Sequence, residues 1–300
     1  MDSIGSTGSL TERLRPFLAI LRYESTSLFA SWLVRTWLIA TGLLAFVVMS
    51  ANWGRLQTAS LIAAMLFPYI VFPWSLVVMM LSVNPVSGVR IDAVADGILS
   101  RPVTRYEYLL ASWSSRVLLV LGVYLLVMVP SILIVSFADR PAPDDTVTVY
   151  GTVCSVGVVG LVLTFLVSTG FLLGTLFRNQ LLAIVVLAFL WFPINLVLNT
   201  FSLEEFSPIS LNQALPTVLR QPWTEDAVDS EEANLQEAAR QVGAVLDFFG
   251  GESGEPVEPP GFFEREGFDD FSLVRVVLGY GIPTFAAVVL ATIVFCRRDL

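Results

Sequence analysis

The chain has 300 residues, 55% of them hydrophobic and 14% charged, against about 25% charged in an ordinary soluble domain, so much of it is built for lipid. Its 17 basic residues are all Arg, it has no His, and it has two Cys against a net charge of -9. This composition excludes a phosphate-loop lysine, a Schiff base, a Ser-His-Asp triad, an imidazole base and a His- or multi-Cys-ligated zinc, so any ATP spent on its behalf is hydrolysed by another chain.

In chain order, residues 1–32 come first. Leu10, Leu14, Phe17, Leu18, Leu21, Leu28, Phe29 and Trp32 recur at helical spacing with Arg13, Arg22 and Glu24 off that stripe. The pattern predicts an amphipathic N-terminal helix in the cytoplasmic headgroup plane; a plain extension of the first span is the alternative, and Pro16 leaves the helix start open. No signal peptide is evident. Six stretches then match the roughly 20 apolar residues that cross a hydrocarbon core: 33–51, 57–83, 117–137, 151–177, 181–199 and 273–296. Arg35 and Arg275 stand near span ends, where long side chains snorkel, and no Asp or Glu falls inside a span. Pro68 and Pro73 predict a kink in the second span. Gly170-x-x-x-Gly174 predicts a close helix approach in the fourth. The expected fold is all-α, a polytopic integral membrane protein whose segment 33–199 holds the first five spans.

The cytoplasmic loop 84–116 opens with turn chemistry in Asn84-Pro85 and Ser87-Gly88, then sets Ile91, Val94, Ala95, Ile98 and Leu99 on one helical face and Asp92 and Asp96 on another. A short amphipathic helix is predicted, broken at Arg101-Pro102. Thr104 and Glu107 then form a T-x-x-E capping box that starts the helix running into the third span. An ordinary surface helix between spans would show the same spacing.

The segment 200–272 is an acidic insert with 16 acids and 3 Arg. Thr224 can cap a helix with the stripe Leu235, Ala239, Val242, Leu246 and Phe249, stopped by Gly250-Gly251. ESGEPVEPPG reads as an extended linker, and Phe262, Phe263, Phe268 and Phe271 as a return to the interface before the sixth span and C-terminus, 273–300. The acids lack the spacing of a calcium loop and read as a solvating face.

Arginine orients the chain, because positive residues stay on the cytoplasmic side. With both termini inside, the inner segments (1–32, 84–116, 178–180, 297–300) hold 10 Arg against 7 acids, and the outer ones (52–56, 138–150, 200–272) hold 5 Arg against 19 acids. Cys154 and Cys296 then sit about 30 Å apart across the bilayer, too far for a disulfide.

The run GILSRPVTRYEYLLASW from Gly97 to Trp113, the six-span layout and the terminal FCRRDL resemble the type-2 ABC exporter permease family. Asp96, Gly97, Leu99, Pro102, Val103, Thr104, Arg105 and Tyr106 occupy the family's acid, Gly, Leu and P-V-[ST]-R-aromatic places. The chain departs in having Asp where Glu is common and Ala111-Ser112 where Gly-Lys is common. The resemblance implies an exporter permease in the cell membrane, with an N-terminal elbow helix. It pairs with a second permease, identical or related, and with two cytoplasmic ATP-binding subunits that hold ATP and Mg; this chain needs no cofactor. Coupling would run through Ile91, Asp92, Ala95, Asp96, Gly97, Leu99, Pro102, Thr104 and Arg105. The stripe in 200–272 would be covered by span ends, the partner permease or an extracytoplasmic protein, and no nucleic acid is expected.

The rival class is a secondary transporter or channel without an ATPase. It would keep ionisable groups at membrane depth or a polar filter, and the sequence offers neither. Absence of Lys with acid excess outside fits a halophilic archaeon, although codon bias alone also removes Lys.

Overall fold

A computed structural model describes residues 10–83, 104–141, 145–177, 179–200, 207–221 and 273–297, and every regular element among them is a helix. These are α1 (Leu10–Ala30), α2 (Trp32–Ala51), α3 (Thr58–Ile70), α4 (Trp74–Val83), α5 (Arg105–Phe137), α6 (Val149–Leu176), α7 (Gln180–Thr200), α8 (Pro208–Arg220) and α9 (Leu273–Arg297). Among the described residues five runs are long and apolar enough to cross a membrane: Trp32–Ala51, Thr58–Val83, Tyr106–Phe137, Val149–Leu176 and Leu273–Arg297. The remaining expected span, 181–199, falls within α7, whose described apolar part, Gln180–Pro193, is shorter.

Hydroxyls inside these helices bond back to their own backbone. Thr41, Ser75, Ser131, Thr164 and Thr284 each donate to the carbonyl four residues earlier, which satisfies a polar group without a partner helix. Thr58–Val83 is not one rod. Pro73 has no N–H to donate, and the chain breaks at residues 71–73 into α3 and α4, so the predicted kink is a full interruption.

The centre of the bundle is α6, which packs against α9, α4, α5, α8, α7 and α3. Its glycine pair explains one close seam. A Cβ at Gly170 would overlap Ser82 Oγ, and one at Gly174 would lie 2.6 Å from Val83 O, whereas Gly42, Gly122, Gly157 and Gly281 face open space. The predicted close approach is therefore to the last turn of α4. α7 returns antiparallel along α6: Phe165 and Trp191, equally far from the connecting turn, meet at 6.3 Å between ring centroids. α9 runs parallel to α6, with Tyr280 against Phe165 at 5.5 Å and Ala291 beside Phe171 and Leu109.

α5 starts at Arg105, well before the apolar run at Val117, and the expected capping box is present, with Thr104 N donating to Glu107 Oε2 at 3.0 Å. α1 packs chiefly on α5 and continues through Pro16. Its stripe divides: Phe17, Leu21 and Leu28 are partly buried, whereas Leu18, Phe29 and Trp32 are exposed.

Part of the segment 200–272 belongs to the bundle. α8 opens with Pro208, whose missing N–H costs nothing in a first turn, and all of 208–219 is buried except Ile209 and Thr217, which are partly so. It packs against α3 and α6 and touches α7. Thr148 N donates to Leu219 O at 3.0 Å and the Thr148 hydroxyl donates to Gln221 O. Gly151 lies so close to the Val218 and Leu219 carbonyls that any side chain there would overlap them.

Candidate functional site

Of the residues predicted to couple the chain to a partner, Ile91, Asp92, Ala95, Asp96, Gly97, Leu99 and Pro102 lie outside the described residues, as does the helix expected after Thr224. Thr104 and Arg105 are described: Thr104 is the exposed N-cap of α5 and Arg105 its first residue. A displacement of the preceding segment would therefore act directly on the first turn of α5.

Eleven residues further along α5 is Arg116, which is buried. Its Nη1 donates to Ser112 O and, at 2.7 Å, to Ser112 Oγ; its Nη2 lies 3.9 Å from Glu24 Oε2 of α1; and its guanidinium stands 5.8 Å from the ring centroid of Phe171 on α6. One turn earlier in the same seam, Trp113 Nε1 donates to Ser168 Oγ of α6 at 3.0 Å. A charge taken out of water has to be paired and hydrogen-bonded, and here three helices share that task. The sequence expectation counts Arg116 in the loop 84–116, on the helix that Thr104 starts, and finds no ionisable group at membrane depth; the structure buries Arg116 among three helices. Hydropathy marks where the apolar run begins, whereas the cap at Thr104 marks where the helix begins. Glu24, expected off the apolar stripe, is the partner that the stripe argument overlooks.

A second polar cluster ties the opposite end, where α2 and α5 finish and α3 and α6 start. Asp145 Oδ2 accepts from Ala59 N at 2.8 Å, which caps α3, and Asp145 Oδ1 accepts from Arg220 Nε at 2.8 Å. Arg220 also donates to Gln57 Oε1 at 2.6 Å. Beside it, Arg140 donates to the carbonyls of Trp53 and Leu56, both at 3.3 Å, and to Thr58 Oγ1 at 2.7 Å, with Trp53 5.8 Å away as a cation-π partner. Partial burial draws the Arg140 guanidinium below its ordinary value, and Asp145 acts to raise it again. The turn from Trp53 to Thr58, Arg140, Asp145 and the end of α8 are thereby stapled together.

Neither cluster gathers metal ligands. Among the described residues no group of three or more His, Cys, Asp or Glu could hold a metal ion, and Cys154 and Cys296 are free thiols. What the two clusters do is fasten helices: α1 and α6 to α5 in one, and α8 to α3 and to the turn before α6 in the other. The buried polar helix α8 is the element that composition conceals, because its apolar residues are diluted by Ser210, Asn212 and Gln213. Compared with known proteins, the chain matches no family model and no curated relative.

Proposed function

We propose that this chain is the membrane-spanning permease subunit of an ATP-binding cassette exporter, working with a second permease and two cytoplasmic ATP-binding subunits. One observation carries the reading: the last residues of the resembling motif, Thr104, Arg105 and Tyr106, are the cap and first turn of α5, and α5 is fastened to α1 and α6 at Arg116. A push on the segment 84–106 enters the bundle through a rigid, capped helix. In this reading α7 is the additional span, α1 the elbow, both termini face the cytoplasm, and the acidic segment beyond α8 stands outside. ATP and Mg are held by the partner subunits.

The test is co-expression with a cognate ATP-binding subunit. A membrane complex should form, and the permease alone should hydrolyse no ATP. Asp96→Arg reverses a charge on a predicted docking face, where like charges brought together cost several kcal/mol of binding. The variant should insert normally but lose the ATPase subunit on purification. ATPase activity in the permease alone overturns the assignment, as does wild-type association and transport by both Asp96→Arg and Ile98→Asp. Cysteines at Ser100 and Ser253, in a background lacking Cys154 and Cys296, should label from opposite sides, with position 253 reached from outside.

The buried Arg116–Glu24 pair favours a second reading, a carrier that moves a charged group without an ATPase. That reading requires gradient-driven transport by the purified chain in liposomes, lost on Arg116→Met.

A further inference from the structure

α8 is a polar helix in an apolar place. Asn212 is 0% exposed, and neither atom of its amide has a hydrogen-bond partner. The two helices packed most closely on α8 carry Ser60 on α3 and Ser155 on α6, both buried, both with an unpartnered hydroxyl. Among the described residues the other buried side-chain groups without a partner are the ring N–H or O–H of Trp37, Tyr69 and Trp191, and Arg116 Nε. Back-bonding to the own helix, which satisfies Thr41 and Thr164, is not taken by Ser155, and the carbonyl four residues before Ser60, that of Leu56, lies ahead of α3 and accepts from Arg140.

The register places all three side chains on one seam. Gln57, the N-cap of α3, bonds to Arg220 at the end of α8, so Ser60, one turn on, lies on the face of α3 that meets α8. Gly151 abuts the carbonyls of Val218 and Leu219, so Ser155, one turn on, lies on the corresponding face of α6. Asn212 stands two turns before Leu219, on α8's side of the same seam. α8 ends where α3 and α6 begin, and at about 1.5 Å rise per residue the three polar groups fall within about two helical turns of one another.

Buried polar groups are ordinarily paired, and an unpaired one calls for an explanation. We propose that the α3–α6–α8 seam is a closed binding site that opens to water and takes neutral groups carrying both a donor and an acceptor, such as hydroxyls or amides of a transported molecule. Asn212 offers one donor set and one acceptor, and each serine offers both. The Asp145–Arg220 contact and the Thr148 bonds to Leu219 and Gln221 hold the mouth shut in this conformation. The proposal rests on the transporter reading above, and it names where in the bundle cargo is touched.

The experiment is thiol accessibility in membrane vesicles. Ser60→Cys, Ser155→Cys and Asn212→Cys are made singly with Cys154→Ser and Cys296→Ser, beside the controls Leu211→Cys and Leu215→Cys, whose native side chains are equally buried on α8. The probe is methyl methanethiosulfonate, small and neutral, which reacts with thiolate and so reports hydration. The three seam positions should react at least tenfold faster than the controls, and Asn212→Leu should slow the reaction at Ser155→Cys while melting no lower than the parent. Equal rates at seam and control positions, or no reaction at any of them, overturn the proposal. So does an Asn212→Leu variant that melts lower and leaves the Ser155→Cys rate unchanged. No ATP-binding subunit is needed, so failure here leaves the exporter assignment standing, and failure of that assignment leaves the labelling result readable.

Discussion

Arg116 and Arg220 each pair with a carboxylate, in opposite halves of the bundle, and by distance alone Arg220 has the better bond, 2.8 Å against 3.9 Å. By surroundings the order reverses. The side chains of Arg116 and Glu24 are 4% and 19% exposed, whereas Arg220 is 40% exposed beside an Asp145 side chain at 4%. A short contact to a guanidinium that water still reaches exchanges one set of good interactions for another, so it contributes little. A long contact inside the bundle is what remains between a buried charge and an uncompensated one, so breaking it is expensive even though forming it gained little. Burial, more than bond length, ranks the two.

The largest expected effect follows from stranding Arg116. Glu24→Leu removes its carboxylate and should lower stability in detergent by about 3–5 kcal/mol. The double variant Glu24→Leu with Arg116→Met removes both charges and should recover most of that loss in the same melting assay. If the single variant melts like the parent, Ser112 and Phe171 suffice for Arg116 and the contrast fails. Next in size is Asp145→Ala, which removes the cap on Ala59 N as well as the pair with Arg220, at about 1–2 kcal/mol for the cap. Asp145→Asn keeps an acceptor for Ala59 and should cost under about 1 kcal/mol, the range of exposed pairs. The smallest effect sharpens the comparison through screening. Raising salt from 0.05 to 1 M should weaken the Arg220 pair by a few tenths of a kcal/mol at most, because the Debye length falls to about 3 Å, and it should leave the Glu24→Leu penalty unchanged. A penalty that shrinks with salt would mean that water reaches Arg116.

What the sequence discloses here is local, and what it conceals is set by distant contacts. Thr104 and Glu107 announce their capping box because both partners lie within one turn. Pro73 announces the break because the missing N–H is its own, and Gly170 and Gly174 mark a close seam without naming α4 as the partner. The cap already puts Arg116 on a helix, but its burial is missed because the groups that enclose it, Glu24 and Phe171, lie 92 and 55 residues away. α8 is missed altogether: PISLNQALPTVLR has two prolines and three buried polar residues, and only α3 and α6 make it an interior element. Of the candidate coupling residues, Thr104 and Arg105 are described, at the start of the helix that also carries Arg116, and those from Ile91 to Pro102 lie outside the described residues.

The bond between Gln57 and Arg220 joins residues 163 positions apart in the chain. During synthesis at about 5–20 residues per second, α3 is exposed for roughly 10–30 s before the ribosome has made the helix that covers it. Through that interval the nascent protein lacks a wall of its interior, and the Ser60 hydroxyl, joined by that of Ser155 once α6 is made, has no α8 against it. A polypeptide released between α7 and α8 stays in that condition permanently, without α8 and without α9, the two later helices that pack on α6.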